Sequence, residues 1–199
     1  MNMLKRLGGA GCLVMGLMLA STAAQAEIFD LSIGDNSYRA ALYGPLSRLG
    51  TDKKGQYDVG AIVRPERNDD LLVGHVGALL TGDAGARDFE LAAGLGLRGV
   101  YVGRDHDSGG AVAIGGQLEA RYPGFDRLGL SLYGYYAPDV LGLGDVEQYY
   151  EIGVALDYQV LRDASVYIGY RNVNIELEPL DGDVTADNGL HAGLRLNFF

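Results

Sequence analysis

Between residues 149 and 160 the side chains alternate without a break. Tyr150, Ile152, Val154, Leu156, Tyr158 and Val160 fall on one side, and Tyr149, Glu151, Gly153, Ala155, Asp157 and Gln159 on the other. A period of two is that of a β-strand, whose successive side chains point to opposite faces. The signature recurs. Phe89, Leu91, Ala93, Leu95, Leu97 and Tyr101 oppose Glu90, Gly94, Gly96 and Arg98; Val112, Ile114, Leu118, Ala120 and Tyr122 oppose Gly115, Gln117, Glu119 and Arg121. Leu128, Leu130, Leu132 and Tyr136 oppose Arg127, Gly129, Ser131, Tyr133 and Tyr135, and at the end of the chain Leu190, Ala192, Leu194, Leu196 and Phe198 oppose His191, Gly193, Arg195 and Asn197. Shorter runs occupy 28–33, 57–64 and 165–171, while 37–45 and 71–81 alternate less cleanly, with Leu71, Leu72 and Val73 apolar on both sides. The pattern predicts about ten strands, mostly of about 8 to 14 residues, a length that suits tilted strands crossing a bilayer.

Alternation alone also suits an exported soluble sandwich or a lipocalin-like barrel, in which the apolar face is a core. Three features favour lipid instead. The polar faces carry Gly60, Gly94, Gly96, Gly115, Gly129, Gly153, Gly169 and Gly193 beside charges and tyrosines. A solvated face gains little from glycine, which weakens a strand; a crowded barrel interior uses it to make room for a large neighbour. The apolar faces run for many residues without charge, as a bilayer demands, since a midplane Arg or Lys costs about 2–4 kcal/mol. Aromatics gather near the ends of those faces, in the manner of interfacial girdles. The intervening segments alternate in character. "LRDAS" and "YPGFD" are tight, whereas "RPERNDD", "RDHDSGG", "PDVLGLGDVEQ" and "LEPLDGDVTADN" are longer or richer in Asp. Short turns on one side and polar loops on the other describe an outer-membrane barrel. An even strand number returns both chain ends to the same side. The fold class expected is therefore all-β: a transmembrane antiparallel up-and-down β-barrel of about ten strands, one domain over residues 27–199.

The first 26 residues read as a cleaved signal peptide. Lys5 and Arg6 precede an apolar run from Leu7 to Ala20, and Ala24-Gln25-Ala26 supplies small residues at the cleavage site. Cys12 lies inside the run, so the mature chain has no thiol and no disulfide. The formal charge of −10 becomes more acidic once Lys5 and Arg6 are lost, which argues against nucleic acid as a partner. No mature segment has the apolar length of a transmembrane helix.

The stretch "LSLYGYYAPDVL…DVEQYYEIGVALDYQVLRDASVYIGYRNV" resembles the YfaZ family of Gram-negative outer-membrane proteins. The likeness is carried by Tyr133, Tyr135, Tyr136, Pro138 and Asp139, by Tyr149, Tyr150, Glu151 and Tyr158, and by "VYIGYR" at 166–171. It is best over residues 125–199. The resemblance implies an outer-membrane barrel and no known activity, so it carries over no catalytic or binding residues. The ending, His191-x-Gly193-x-x-Leu196-x-Phe198 with Phe199 one step past the phenylalanine that fits the register, resembles the signal by which such barrels are recognised for insertion. The partners expected are outer-membrane lipid, lipopolysaccharide and, during insertion, the barrel-assembly machinery.

The residues bring little chemistry together. His75, His106 and His191 lack metal-ligand spacing, and no metal or cofactor is expected. His106 and Ser108 share a loop, but Glu119 lies far down the next strand, at a distance no triad tolerates; a lipid-modifying enzyme is the least favoured reading. The acidic stretch Asp181, Asp183, Asp187 lacks the pattern of a calcium loop and reads as a solvated loop. Charges on the inward faces are more informative: Asp58, Glu90, Glu119, Glu151 and Asp157 against Arg64, Arg98, Arg121, Arg171 and Arg195. Buried charges need partners, and ten strands lie near the size at which side chains fill a barrel. The expected role is that of a structural or interaction protein with a largely filled lumen. A narrow porin-like channel for ions or small solutes is the alternative.

Overall fold

A computed structural model describes residues 27–51, 54–65, 70–85, 90–104, 108–121, 124–177 and 183–198. The expected signal peptide, and with it Cys12, lies outside the described residues, as do Phe89, His106, Tyr122, Asp181 and Phe199. Among the described residues eleven strands occur: β1 (Glu27–Gly34), β2 (Tyr38–Pro45), β3 (Gly55–Arg64), β4 (Leu71–Asp83), β5 (Glu90–Gly103), β6 (Ser108–Arg121), β7 (Leu128–Ala137), β8 (Gly142–Gly144), β9 (Val146–Leu161), β10 (Ala164–Leu177) and β11 (Asp183–Phe198). Ten of them close a ring of antiparallel neighbours, β5 pairing with β6 and β11 with β1. The three-residue β8 sits outside the ring order, on the end of β6. Both uneven stretches, 37–45 and 71–81, are strands, β2 and β4.

The outward face is apolar and bare. Leu95 is 76% exposed, Leu190 71% and Ile168 65%; water does not tolerate so continuous an apolar belt on a folded domain, and lipid does. From Tyr150 to Val160 the outward residues of β9 are all apolar or aromatic. At roughly 3.3 Å per residue and a tilt of about 40°, that run is about 25 Å tall, the height of a barrel's lipid-facing band. Tyr101, Tyr136, Tyr150 and Tyr170 mark the band's border on the side away from the chain termini, with Tyr136 directly opposite Tyr150. Tyr158 and Phe198 lie toward the other border.

Beyond the tyrosine border the strands continue, and their polarity inverts. On β10 the outward residues Val166, Ile168 and Tyr170 give way to Asn172, Asn174 and Glu176, while the inward Arg171 gives way to Val173, Ile175 and Leu177. The outward amides join a hydrogen-bonded ladder: Asn174 donates to Asn172 (2.9 Å), and Thr185 of β11 donates to Asn174 (3.0 Å). The segment 183–188, expected as loop, is the start of β11. The physical reason is that a strand emerging from lipid exchanges its surroundings: the outside becomes wet and the inside can become a dry core.

That core fills the lumen at the end opposite the termini. Val102, Val173, Ile175 and Tyr149 are each at most 1% exposed and pack in one cluster with Leu71, Val73 and others. The barrel is thus lipid-coated and polar inside near the termini, and water-coated and apolar inside at the far end. Loop lengths are less asymmetric than expected, because residues 46–54 and 84–89 join strands at the end that holds the termini, where tight turns were expected, while 104–107 at the other end is short.

Candidate functional site

The middle of the lumen is a layer of charges, one strand contributing one or two inward groups. Arg98 of β5 stands at its centre. It bonds Asp58 of β3 at 2.7 Å and Glu151 of β9 at 2.5 Å, and its guanidinium lies 3.6 Å from the Tyr135 ring centroid. Tyr149 donates its hydroxyl to Glu151 at 2.7 Å, and His75 Nε2 lies 3.3 Å from Asp58. Two buried carboxylates thus share one guanidinium, whose five donors in a rigid fork suit that task.

A second cluster centres on Asp30 of β1, a fully buried carboxylate. Tyr167 donates to it at 2.6 Å and Arg195 at 3.0 Å, with Arg39 at 3.7 Å. Arg39 also donates to the Tyr43 hydroxyl at 2.7 Å. Arg195 stacks over the Tyr167 ring at 4.6 Å and lies 3.7 Å from Asp157, which accepts from Arg121 at 3.1 Å. The third cluster is Arg171, fully buried, bonded to Asp187 and reaching Ser32 at 3.5 Å.

Of the charges expected to line the lumen, Arg98, Glu151, Asp157 and Arg171 are buried, and Arg121 and Arg195 are half-buried in the same network. Two differ from expectation. Glu90 is exposed, because it begins β5 where the strand leaves the barrel rim. Glu119 has inward parity but is also exposed, and it makes no ion pair among the described residues; it faces open lumen near the termini. Arg64 reaches the Thr185 carbonyl at the far end of the barrel. Asp30, Arg39 and Asp187 were not anticipated as lumen charges. The first two sit in short or uneven strands. Asp187 lies in the acidic stretch that reads as loop, and a register shift beside it leaves Ala186 and Asp187 both buried, so no period-two signal marks it.

Below the charge layer, toward the termini, the lumen opens into a cavity of about 110 Å³. Arg39, Arg195, Gln56, Gln117, Glu119 and Tyr133 border it. Ser108 and Glu119 occupy opposite ends of β6, eleven residues apart. Among the described residues no three His, Cys, Asp or Glu side chains converge as a metal site would require.

A family model described as YfaZ precursor matches residues 5–198. The chain belongs to the YfaZ family. Outer membrane protein YfaZ of Escherichia coli (strain K12) is 32% identical over 109 residues, a match covering 54% of this chain and 59% of that relative. Among solved structures, outer membrane phospholipase A from Escherichia coli is 13% identical with a TM-score of 0.43, covering 91% of this chain and 99% of that one. The KdgM porin in complex with disordered oligogalacturonate is 11% identical with a TM-score of 0.41, covering 87% and 99%. This YfaZ-family chain is an outer-membrane β-barrel protein, with its greasy belt in the bilayer and its charge layer inside.

Proposed function

We propose that the protein is a structural or interaction protein of the outer membrane whose barrel does not conduct. The observation that carries this reading is the apolar layer across the lumen: Val102, Val173 and Ile175 are fully buried against one another's neighbours at the end away from the termini. An ion entering that layer would lose its hydration and find no polar group to replace it, the condition of a hydrophobic barrier. Outer-membrane barrels keep their termini at the periplasmic side and their longer loops outside, so the closed end would face outward. Its water-coated strand ends and loops would be the surface shown to lipopolysaccharide or to partners.

The insertion signal remains part of this reading. Leu196 and Phe198 lie on the outward side of β11, opposite Phe29 and Glu27 of β1; Gly193 has inward parity. Together with Phe199 they are the features that barrel-assembly machinery would read on the final strand.

Planar-bilayer recording of the refolded mature chain tests the central point. The expected result is an insertion-competent protein with no stable current steps. Reproducible steps would favour the alternative, a narrow channel for ions or small solutes.

A further inference from the structure

The cavity near the termini has a charge arrangement that the ion-pair layer above it does not use up. In the ring order, β6 lies five strands from β1 in either direction, so the two strands face each other across the lumen. On the β1 side, Arg39 of β2 and Arg195 of β11 flank Asp30 and share that one carboxylate, which also accepts from Tyr167. Asp157, the other acid near Arg195, is already bonded to Arg121. This wall therefore carries more guanidinium than carboxylate. On the β6 side stands Glu119, exposed and without an ion pair among the described residues. Positive excess thus faces an unneutralised carboxylate across a space of about 110 Å³.

The donors and acceptors between these walls are also incomplete. Arg39 is 6% exposed, yet its Nε has no hydrogen-bond partner among protein atoms, and neither has the Tyr133 hydroxyl; both residues line the cavity. Buried polar groups are rarely left so. Gln117 and Gln56 meet at 3.5 Å, the limit of a hydrogen bond, and border the same space.

The geometry points to a binding cup for a small zwitterion of the amino-acid class, its carboxylate held by Arg39 and Arg195 and its ammonium by Glu119. A guanidinium pair recognises a carboxylate by charge-assisted hydrogen bonds, and the facing acid selects against plain anions, which it repels. The cup opens at the end where the chain begins and ends. This goes beyond the closed-lumen reading and does not depend on it, since binding and conductance are read in separate experiments.

Isothermal titration calorimetry on the mature chain, refolded in detergent micelles, tests the inference with L-serine and L-glutamine as probes, and with acetate and ethanolamine as their two charged halves. At least one amino acid is expected to bind saturably and roughly tenfold or more tightly than either half. Glu119→Gln is expected to weaken the amino acid about tenfold while leaving acetate as weak as before or strengthening it. Arg195→Gln is expected to weaken both. Heat-modifiable gel mobility verifies that each variant is folded. Glu119 makes no ion pair among the described residues that its substitution could break, so that variant decides the matter even if Arg195→Gln fails to fold. Acetate binding as tightly as the amino acids, no saturable binding by either amino acid, or a Glu119→Gln variant indistinguishable from the parent each overturns the inference.

Discussion

Arg171 is completely buried, and its guanidinium is held by Asp187 and Ser32. Removing one member of a buried pair strands the other, at a cost of about 3–5 kcal/mol, whereas replacing both with apolar groups is often neutral. Arg171→Met should therefore lower the urea midpoint of the vesicle-inserted protein sharply, and Arg171→Met with Asp187→Leu should recover most of the loss. Gly193 illustrates a different constraint. A side chain there would run into the Tyr167 ring, whose hydroxyl donates to Asp30. Gly193→Val should cost about 1–3 kcal/mol in the same unfolding measurement, the range for overpacking. Gly153 stands in the same relation to Tyr133. The role of these glycines was legible from their place among large residues on the polar face. The partner of Arg171 was not, because pairing inside a barrel depends on which strands are neighbours, and Asp187 belonged to a stretch without visible periodicity.

At the scale of one strand, β10 holds the most informative change. Its outward face is lipid-facing through Tyr170 and hydrated from Asn172 onward, and its inward face changes in the opposite sense at Val173. An arginine on the lipid face near the midplane costs about 2–4 kcal/mol and near or beyond the interface about 0–1. Ile168→Arg should thus destabilise the inserted barrel by the larger amount and Asn172→Arg by the smaller, although the two positions are four residues apart on the same face. Equal losses in vesicle unfolding experiments would place the bilayer border elsewhere. The inversion is written in "YIGYRNVNIEL", 167–177, where the apolar residues change parity without any insertion. A reading that looks for one uninterrupted greasy face stops at Arg171, and so the strand was expected to end six residues early. The same switch, Arg98 to Val100 and Val102, or His75 to Val73 and Leu71, recurs on β5 and β4.

At the scale of the whole molecule, those inverted strand ends add up to a plug. The end of β10 contributes Val173, Ile175 and Leu177, and those of β5 and β4 contribute Val100 with Val102 and Leu71 with Val73; only ring closure brings them onto a common axis. Opening the plug should make the barrel conduct: Val102→Ala with Val173→Ala and Ile175→Ala is expected to show current steps in planar bilayers where the parent shows none. The same closure decides that Asp58 of β3, Arg98 of β5 and Glu151 of β9 meet, although Asp58 and Glu151 come from strands far apart in the chain.

Strand number, antiparallel order and the side facing lipid follow from the chain's period-two pattern, because a bilayer tolerates only closed sheets and imposes a continuous charge-free face. The interior obeys no such local rule. Whether an inward charge finds a partner, stands open like Glu119 or yields to an apolar plug depends on distances across the lumen. Those are set by the number, tilt and stagger of all ten strands at once.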